Sequence, residues 1–206
     1  MTSTTAAPTA SRSRRRQTDR AAGTRAALLD AARELFAEKG FAATSRDEIA
    51  ACAGVTRGAL YHHFDSKTAV AAAVVAELED ELVARVVAAA SEAEGVREQL
   101  HLGCRAYMDA CADPTVARVL ADAPAVLGLA ACRALDARAC LPLLEDAFAR
   151  AAEERLAVPG DPRVAAALLL GFLNEAAGII AAAPFNRARR DAVTATVDGF
   201  LTKLFG

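Results

Sequence analysis

The sequence predicts an all-α protein: an N-terminal three-helix, helix-turn-helix domain followed by a larger C-terminal helical domain, about nine helices in total. Three observations predict it. Alanine is used heavily and aromatic residues make up only 5% of the chain, a composition that favours helix throughout. Apolar residues recur at three- and four-residue steps along most of the length, and no segment alternates apolar and polar residues as a strand would. Glycines and prolines mostly stand where these periodic runs stop, so they read as punctuation between helices.

Residues 1–18 are Thr, Ser, Ala and Pro leading into Ser-Arg-Ser-Arg-Arg-Arg. They carry no apolar period and are expected to be a disordered basic arm. Such an arm is either a solvated tail or a source of extra phosphate and minor-groove contacts. The first helix is expected from Arg20 or Thr24 to Lys39, with Leu28, Ala32, Leu35 and Phe36 as its buried stripe and Gly40 as its stop.

The stretch from Thr44 to Lys67, TSRDEIAACAGVTRGALYHHFDSK, organises the chain. Ser45 precedes Glu48 by three residues, the spacing of a capping box, so a helix can open at Arg46. Ile49, Ala50 and Ala53 form its apolar face, and Gly54 ends it as a glycine just past a helix does. Thr56 can cap a second helix whose Ala59 and Leu60 turn inward, with Phe64 as a plug. Arg57, Gly58, Tyr61 and His62 are left on the outer edge. An arginine at the first helical position suits bidentate contact with guanine O6 and N7, and a glycine beside it allows close backbone approach. Tyr61, His62 and Lys67 suit phosphates, which fix orientation without reading sequence. The same residues also read as an alanine-rich helical corner with an ordinary solvent face.

GFAATSRDEIAACAGVTRGALYHHFDSK resembles the N-terminal module of TetR-family transcriptional regulators. The matching residues are Gly40-Phe41, Thr44-Ser45, Ile49-Ala50, Ala53-Gly54-Val55, Leu60-Tyr61-His62-His63-Phe64 and Lys67. The resemblance covers roughly residues 21–70. It implies DNA contacts at Thr44, Ser45, Arg57, Gly58, Tyr61, His62 and Lys67; the helix starts themselves, whose free N–H groups suit phosphates, add helix-opening Arg46 and capping Thr56. It also implies a homodimer on a palindromic double-stranded DNA operator, released by a small-molecule inducer. Repression is the family's usual sign, and activators carry the same head.

Beyond the 19–66 head, residues 67–206 read as the ligand-binding and dimerisation domain. Ser66 caps a long helix, Lys67 to Ala90, with Val70, Val74, Leu78 and Leu82 inward and its acidic Glu77–Glu81 run toward solvent. Another helix follows Gly95 to Ala112. Asp113-Pro114 opens a short one that Ala123-Pro124 breaks. Residues 125–156 form one or two helices around Pro142, and Val158–Pro162 is a turn. Helices at 162–183 and 186–204 complete the chain, separated at Pro184.

On the 162–183 helix, Ala167, Gly171, Asn174 and Gly178 share a small-residue face, and the last helix supplies Val193, Val197, Phe200 and Leu204. The resemblance makes these eight the expected dimer interface; a monomer core is the alternative. A helix apolar all round must be covered all round, so Glu175 is expected to be buried. A buried carboxylate needs a partner such as Arg105 or Arg133, a hydrogen-bond network, or a cavity. Around an inducer cavity the expected residues are Cys104, Tyr107, Met108, Leu127, Phe148, Phe172 and Glu175, each apolar one reading equally as core.

Charge is divided unevenly. Residues 1–67 hold 11 Lys/Arg against 7 Asp/Glu, and residues 68–206 hold 13 against 19. A basic front and an acidic back suit one part that meets a polyanion and one that does not. The five cysteines are odd in number and lack a Cys-x-x-Cys pair, so no metal or cofactor is expected, and free thiols fit a reducing cytoplasm. Cys104 and Cys111, seven apart on one face, raise the separate idea of thiol sensing. No secretory signal is visible, and the longest apolar run, Val164 to Ala183, is interrupted by Asn174 and Glu175. His62 and His63 diverge on a helix and His101 is isolated. With no HExxH, GxSxG or phosphate-cradling loop, an enzyme is disfavoured. A helical scaffold that does not bind DNA leaves the basic front unexplained.

Overall fold

The computed structural model describes residues 9–183 and 185–204, with side-chain surroundings from residue 18 onward. Among the described residues there are nine α-helices and no strand. The head comprises α1 (Thr9–Ala43), α2 (Arg46–Cys52) and α3 (Arg57–His63). Leu28, Leu29 and Phe36 of α1 meet Ile49 of α2, Leu60 of α3 and Phe64 in a core that continues into Val70 and Val74 of α4. The head is therefore fused to the next helix by shared burial.

Local signals do what their chemistry requires. Ser45 Oγ accepts from Glu48 N at 3.2 Å while Ser45 N donates to Glu48 Oε2 at 2.8 Å, a reciprocal capping box. Thr56 and Ser66 cap α3 and α4 in the same way, accepting from Ala59 N and Ala69 N. Gly54 takes φ +66°, which lets the chain turn sharply between α2 and α3.

The body comprises α4 (Lys67–Ala90), α5 (Val96–Cys111), α6 (Pro114–Leu127), α7 (Leu129–Glu153), α8 (Pro162–Ala181) and α9 (Arg187–Leu204). α4 and α5 run antiparallel, with Gly103 lying against Val86 and Ala90. α6 packs on α1 and α4, α7 on α8, and α9 on α5 and α8.

Several features differ from the sequence reading or choose between its alternatives. α1 begins at Thr9, not Arg20 or Thr24, so residues 9–18 of the expected disordered arm are helical. Arginine, glutamine and alanine are good helix formers, and once a helix is nucleated downstream they extend it. Residues 1–8 lie outside the described residues. α6 runs straight through Pro124 and stops at Gly128, φ +86°. Losing one backbone bond is tolerated there because α6 is held between two helices. α7 likewise continues through Pro142 as one helix. Finally, Glu79 does not face solvent with its acidic neighbours: it is only 3% exposed, beside Val75, Leu78 and Leu82 on the inward face.

α8 is long and apolar enough to cross a membrane by length and composition alone. Its Leu169, Leu170, Leu173 and Ile180 pack into the body, while Val164, Leu168, Gly171, Glu175, Gly178 and Ile179 are exposed. The expected burial of Glu175 is thus incorrect, and Arg105 pairs with Asp198 instead. The helix is not covered on every side of this chain.

Candidate functional site

The outer edge of α2 and α3 presents a compact polar surface. Arg57 is exposed and its Nε lies 2.8 Å from Asp47 Oδ1 across the turn, with Tyr61 also hydrogen-bonded to its guanidinium. Both members of the ion pair are solvated, so the pairing is weak and easily exchanged for another acceptor. Arg46 stacks over the Tyr61 ring at 4.2 Å and donates to Asp65 O at 3.1 Å. Tyr61 is thereby held upright between two arginines. Gly58, His62, Ser45 and Thr56 are exposed on the same module. This edge offers cations, hydroxyls and imidazole without an apolar patch, which is the chemistry a polyanion meets.

Two residues expected to touch DNA do something else. Thr44 is 2% exposed, and its hydroxyl donates to Gly40 O at 2.9 Å. Lys67 lies over the Phe41 ring and donates to Phe41 O and Thr44 O, each at 2.8 Å, and to Ala42 O at 3.4 Å. Its ammonium gathers carbonyls at the end of α1, where the helix itself no longer satisfies them all. The role is a strut, and the three donors of the ammonium are used within the chain.

The same segment is gripped from the body. Gly40, at φ +82°, breaks α1, and a Cβ there would lie 2.8 Å from Arg118 Nη2 of α6. Phe41 N donates to Asp122 Oδ2 of α6 at 3.3 Å. Residues 40–44 are thus held by Lys67 of α4 on one side and by Asp122 of α6 on the other.

A cavity of about 280 Å³ lies between α4, α5, α7 and α8. Valines of α4 and leucines of α5, α7 and α8 make most of its wall, and Ser91, Gln99, Asp146 and Arg150 supply its polar groups. Of the seven residues expected there, Cys104 and Tyr107 line it. Met108 and Phe148 are fully buried core, and Leu127 packs at the core's edge. Phe172 instead stacks on Phe200 of α9, centroids 4.8 Å apart, and Glu175 is exposed. Among the cavity residues that sequence reading missed, Gln99 and Arg150 bond across 51 positions. Only Gly103, a glycine inside a helix, was a local clue to close helix approach.

Behind the cavity's inner wall sits a chain of polar side chains from four helices. Tyr107 OH donates to Asn174 Oδ1 at 3.0 Å, and Asn174 Nδ2 donates to Asp136 Oδ2 at 2.7 Å. Asp136 also meets Glu79, whose carboxyl is pushed up to about 7 by burial first and by the Asp136 charge second. Cys140 Sγ donates to Glu79 Oε2 at 3.9 Å. Two acids in one core site share a proton because both cannot ionise there cheaply. Burial pushes the thiols of Cys104, Cys111 and Cys140 up to about 12. With Cys104 and Cys111 also buried, the structure gives thiol sensing no support.

The expected interface residues divide. Ala167, Gly171, Gly178 and Phe200 are exposed, with open space where Cβ atoms on the two glycines would stand. Val193 and Leu204 are half-buried. Asn174 belongs to the internal network instead, and Val197 is 2% exposed in the chain's own core, because α9 turns that side toward α5 and α8. Leu168 and Ile179 join the exposed face in their place.

Residues 28–74 match the model of bacterial regulatory proteins of the tetR family, and residues 97–204 match the tetracyclin repressor-like C-terminal domain. A transcriptional repressor, KstR2 of Rhodococcus jostii, is 40% identical over 81 residues, 38% of this chain and 40% of that protein. A transcriptional activator, FasR of Mycolicibacterium smegmatis, is 39% identical over 85 residues, 41% and 39% of the two chains. The chain therefore aligns with about two fifths of these relatives' length. A TetR-family regulator from Pectobacterium atrosepticum of known structure is 34% identical, covers 91% of this chain and 96% of its own, and superposes with a TM-score of 0.78. The chain belongs to the TetR family of transcriptional regulators, with a helix-turn-helix DNA-binding domain and no enzymatic role.

Proposed function

We propose that the protein is a homodimeric, cytoplasmic repressor that binds a palindromic operator and releases it when a small molecule fills the body cavity. The observation that carries this reading is the grip on residues 40–44. α4 lines the cavity at Val83 and Val86 and also carries Lys67, which holds the end of α1. α6 holds the same segment through Asp122. A ligand that parts α4 from α5 changes where the head sits, so ligand and DNA compete through linked equilibria. Arg57 reads a base and Arg46, Tyr61 and His62 hold the backbone, while the exposed apolar face of α8 and α9 joins two chains. Two heads related by a two-fold axis then address two half-sites.

The test is fluorescence anisotropy of the full chain on DNA fragments from the region upstream of its own gene. One dimer per site, released by a cavity ligand, supports the reading; a chain that binds no fragment better than random DNA overturns it. An activator is the second reading, favoured by the resemblance to FasR. It predicts lower transcription from the bound promoter when the gene is deleted.

A further inference from the structure

Resting on the reading of the cavity as the effector site, we infer that it takes a slender monocarboxylate, an apolar tail of about ten carbons whose anionic head sits on Arg150. Length comes from the helices. Gln99 and Tyr107 both line the cavity on α5, eight residues apart, so the stretch between them is about 12 Å long at 1.5 Å per residue. An extended chain with C–C bonds of about 1.5 Å advances about 1.3 Å per carbon along its zigzag, which gives roughly nine or ten carbons. The slot is narrow because Gly103 brings α5 close to Val86: a Cβ at 103 would lie 3.2 Å from Val86 Cγ1.

Polarity comes from the two ends. At one end Gln99 Nε2 donates to Ala93 O at 2.9 Å, and Gln99 Oε1 accepts from Arg150 Nη1 at 2.7 Å. Gln99 therefore holds the guanidinium in place before any ligand arrives. Arg150 Nε also donates to Asp146 Oδ2 at 3.0 Å, but that carboxylate is 69% exposed and the pair is weak. Of the five N–H donors of a guanidinium, these bonds occupy Nε and one on Nη1, leaving a fork for a ligand carboxylate.

At the other end the donors of Tyr107, Asn174 and Cys140 already have acceptors. The Tyr107 hydroxyl gives its proton to Asn174, the Asn174 amide faces Asp136, and the Cys140 thiol faces Glu79. A second carboxylate placed there would compete for donors that Asn174, Asp136 and Glu79 already hold, and would stand close to the two acids. A methyl terminus loses nothing. The middle of the slot is apolar, so the tail supplies affinity and the two ends supply selection.

Isothermal titration of the full chain with decanoate, 1-decanol and decanedioate tests this. Decanoate should bind roughly tenfold or more tighter than either, since a charge-assisted hydrogen bond is won against the alcohol and a desolvated carboxylate is avoided against the diacid. Arg150→Gln should erase the preference of decanoate over decanol. Equal binding of decanoate and decanol to the wild-type chain, equal binding of decanoate and decanedioate, or a preference that survives Arg150→Gln overturns the inference. If Arg150→Gln does not fold, the wild-type series alone decides. Operator release is measured separately. Selective decanoate binding without release leaves the ligand class standing and removes the effector reading, whereas release by a compound that competes with no carboxylate removes the ligand class alone.

Discussion

Lys67 illustrates how one ammonium can be read two ways. By sequence it is a cation just past a recognition helix, suited to a phosphate. In the fold it closes the end of α1 with bonds to Phe41 O and Thr44 O. The two roles predict different behaviour for Lys67→Ala. A phosphate contact would flatten the salt dependence of DNA binding and leave stability unchanged. A strut loses charge-assisted bonds to carbonyls, so the variant should lose about 2–3 kcal/mol of stability. It should also show faster amide exchange at residues 41–44. Urea melts and hydrogen exchange decide between them. Arg57→Ala should act the other way. It breaks a solvated pair with Asp47 and an exposed contact with Tyr61, so stability should hold while discrimination at one base pair per half-site falls by roughly tenfold or more. Equal loss on operator and random DNA would remove the base-reading role.

At the scale of elements, the exposed strip of α8 makes the clearest demand. Leu168 is 70% exposed and Phe200 60%, on neighbouring helices whose Phe172 and Phe200 rings touch. Leu168→Glu should therefore leave the chain folded, since that side chain is mostly in solvent. It should nevertheless yield monomers in sedimentation, because a carboxylate would be buried in an apolar contact. An intact dimer would remove this face from the interface. The head's short helices were legible because each is set by local chemistry: the Ser45–Glu48 box, the Gly54 turn and the Thr56 cap act within four residues. The facing of α8 was not. Its periodic pattern is apolar on several sides, and which side turns inward is decided by α5, α6, α7 and α9. Asn174 and Glu175 are adjacent in sequence, yet one joins the internal network and the other meets solvent. The pairing of Gln99 with Arg150 was equally invisible, because no local rule relates α5 to α7. Between head and body the Asp122 clamp makes a further demand. Asp122→Ala removes the acceptor of Phe41 N, so ligand should still bind while the ligand concentration for half-release of operator rises several-fold. Unchanged release would remove α6 from the coupling.

Across the whole molecule, the site with most at stake is the acid pair that joins α4 to α7. Glu79 is buried, and its carboxyl is raised from the usual carboxylate range to about 7, by burial and then by Asp136. In the unfolded chain it would lose its proton near its ordinary value of 4.5. The sign follows from the protons held. Between about pH 4.5 and 7 the folded state keeps a proton that the unfolded state has released, so stability falls as pH rises through that window. The full loss, reached above the folded value, is roughly 3 kcal/mol for a shift of this size. Glu79→Gln keeps the shape and a neutral group, so its stability should be flatter with pH, and near pH 8 it should equal or exceed the wild type. Because Glu79 lies on the helix that carries the head, the wild type should also hold its operator less tightly at pH 8 than at pH 6, beyond the change seen for Glu79→Gln. The facing groups that set this balance are Asp80 on α4, Tyr107 and Cys111 on α5, and Asp136 and Cys140 on α7. Urea unfolding at half-unit steps from pH 5 to 8, on both proteins, measures the slope. Parallel curves would show that Glu79 holds no extra proton in the fold, and the acid pair would then be an ordinary hydrogen-bonded contact with no link to pH.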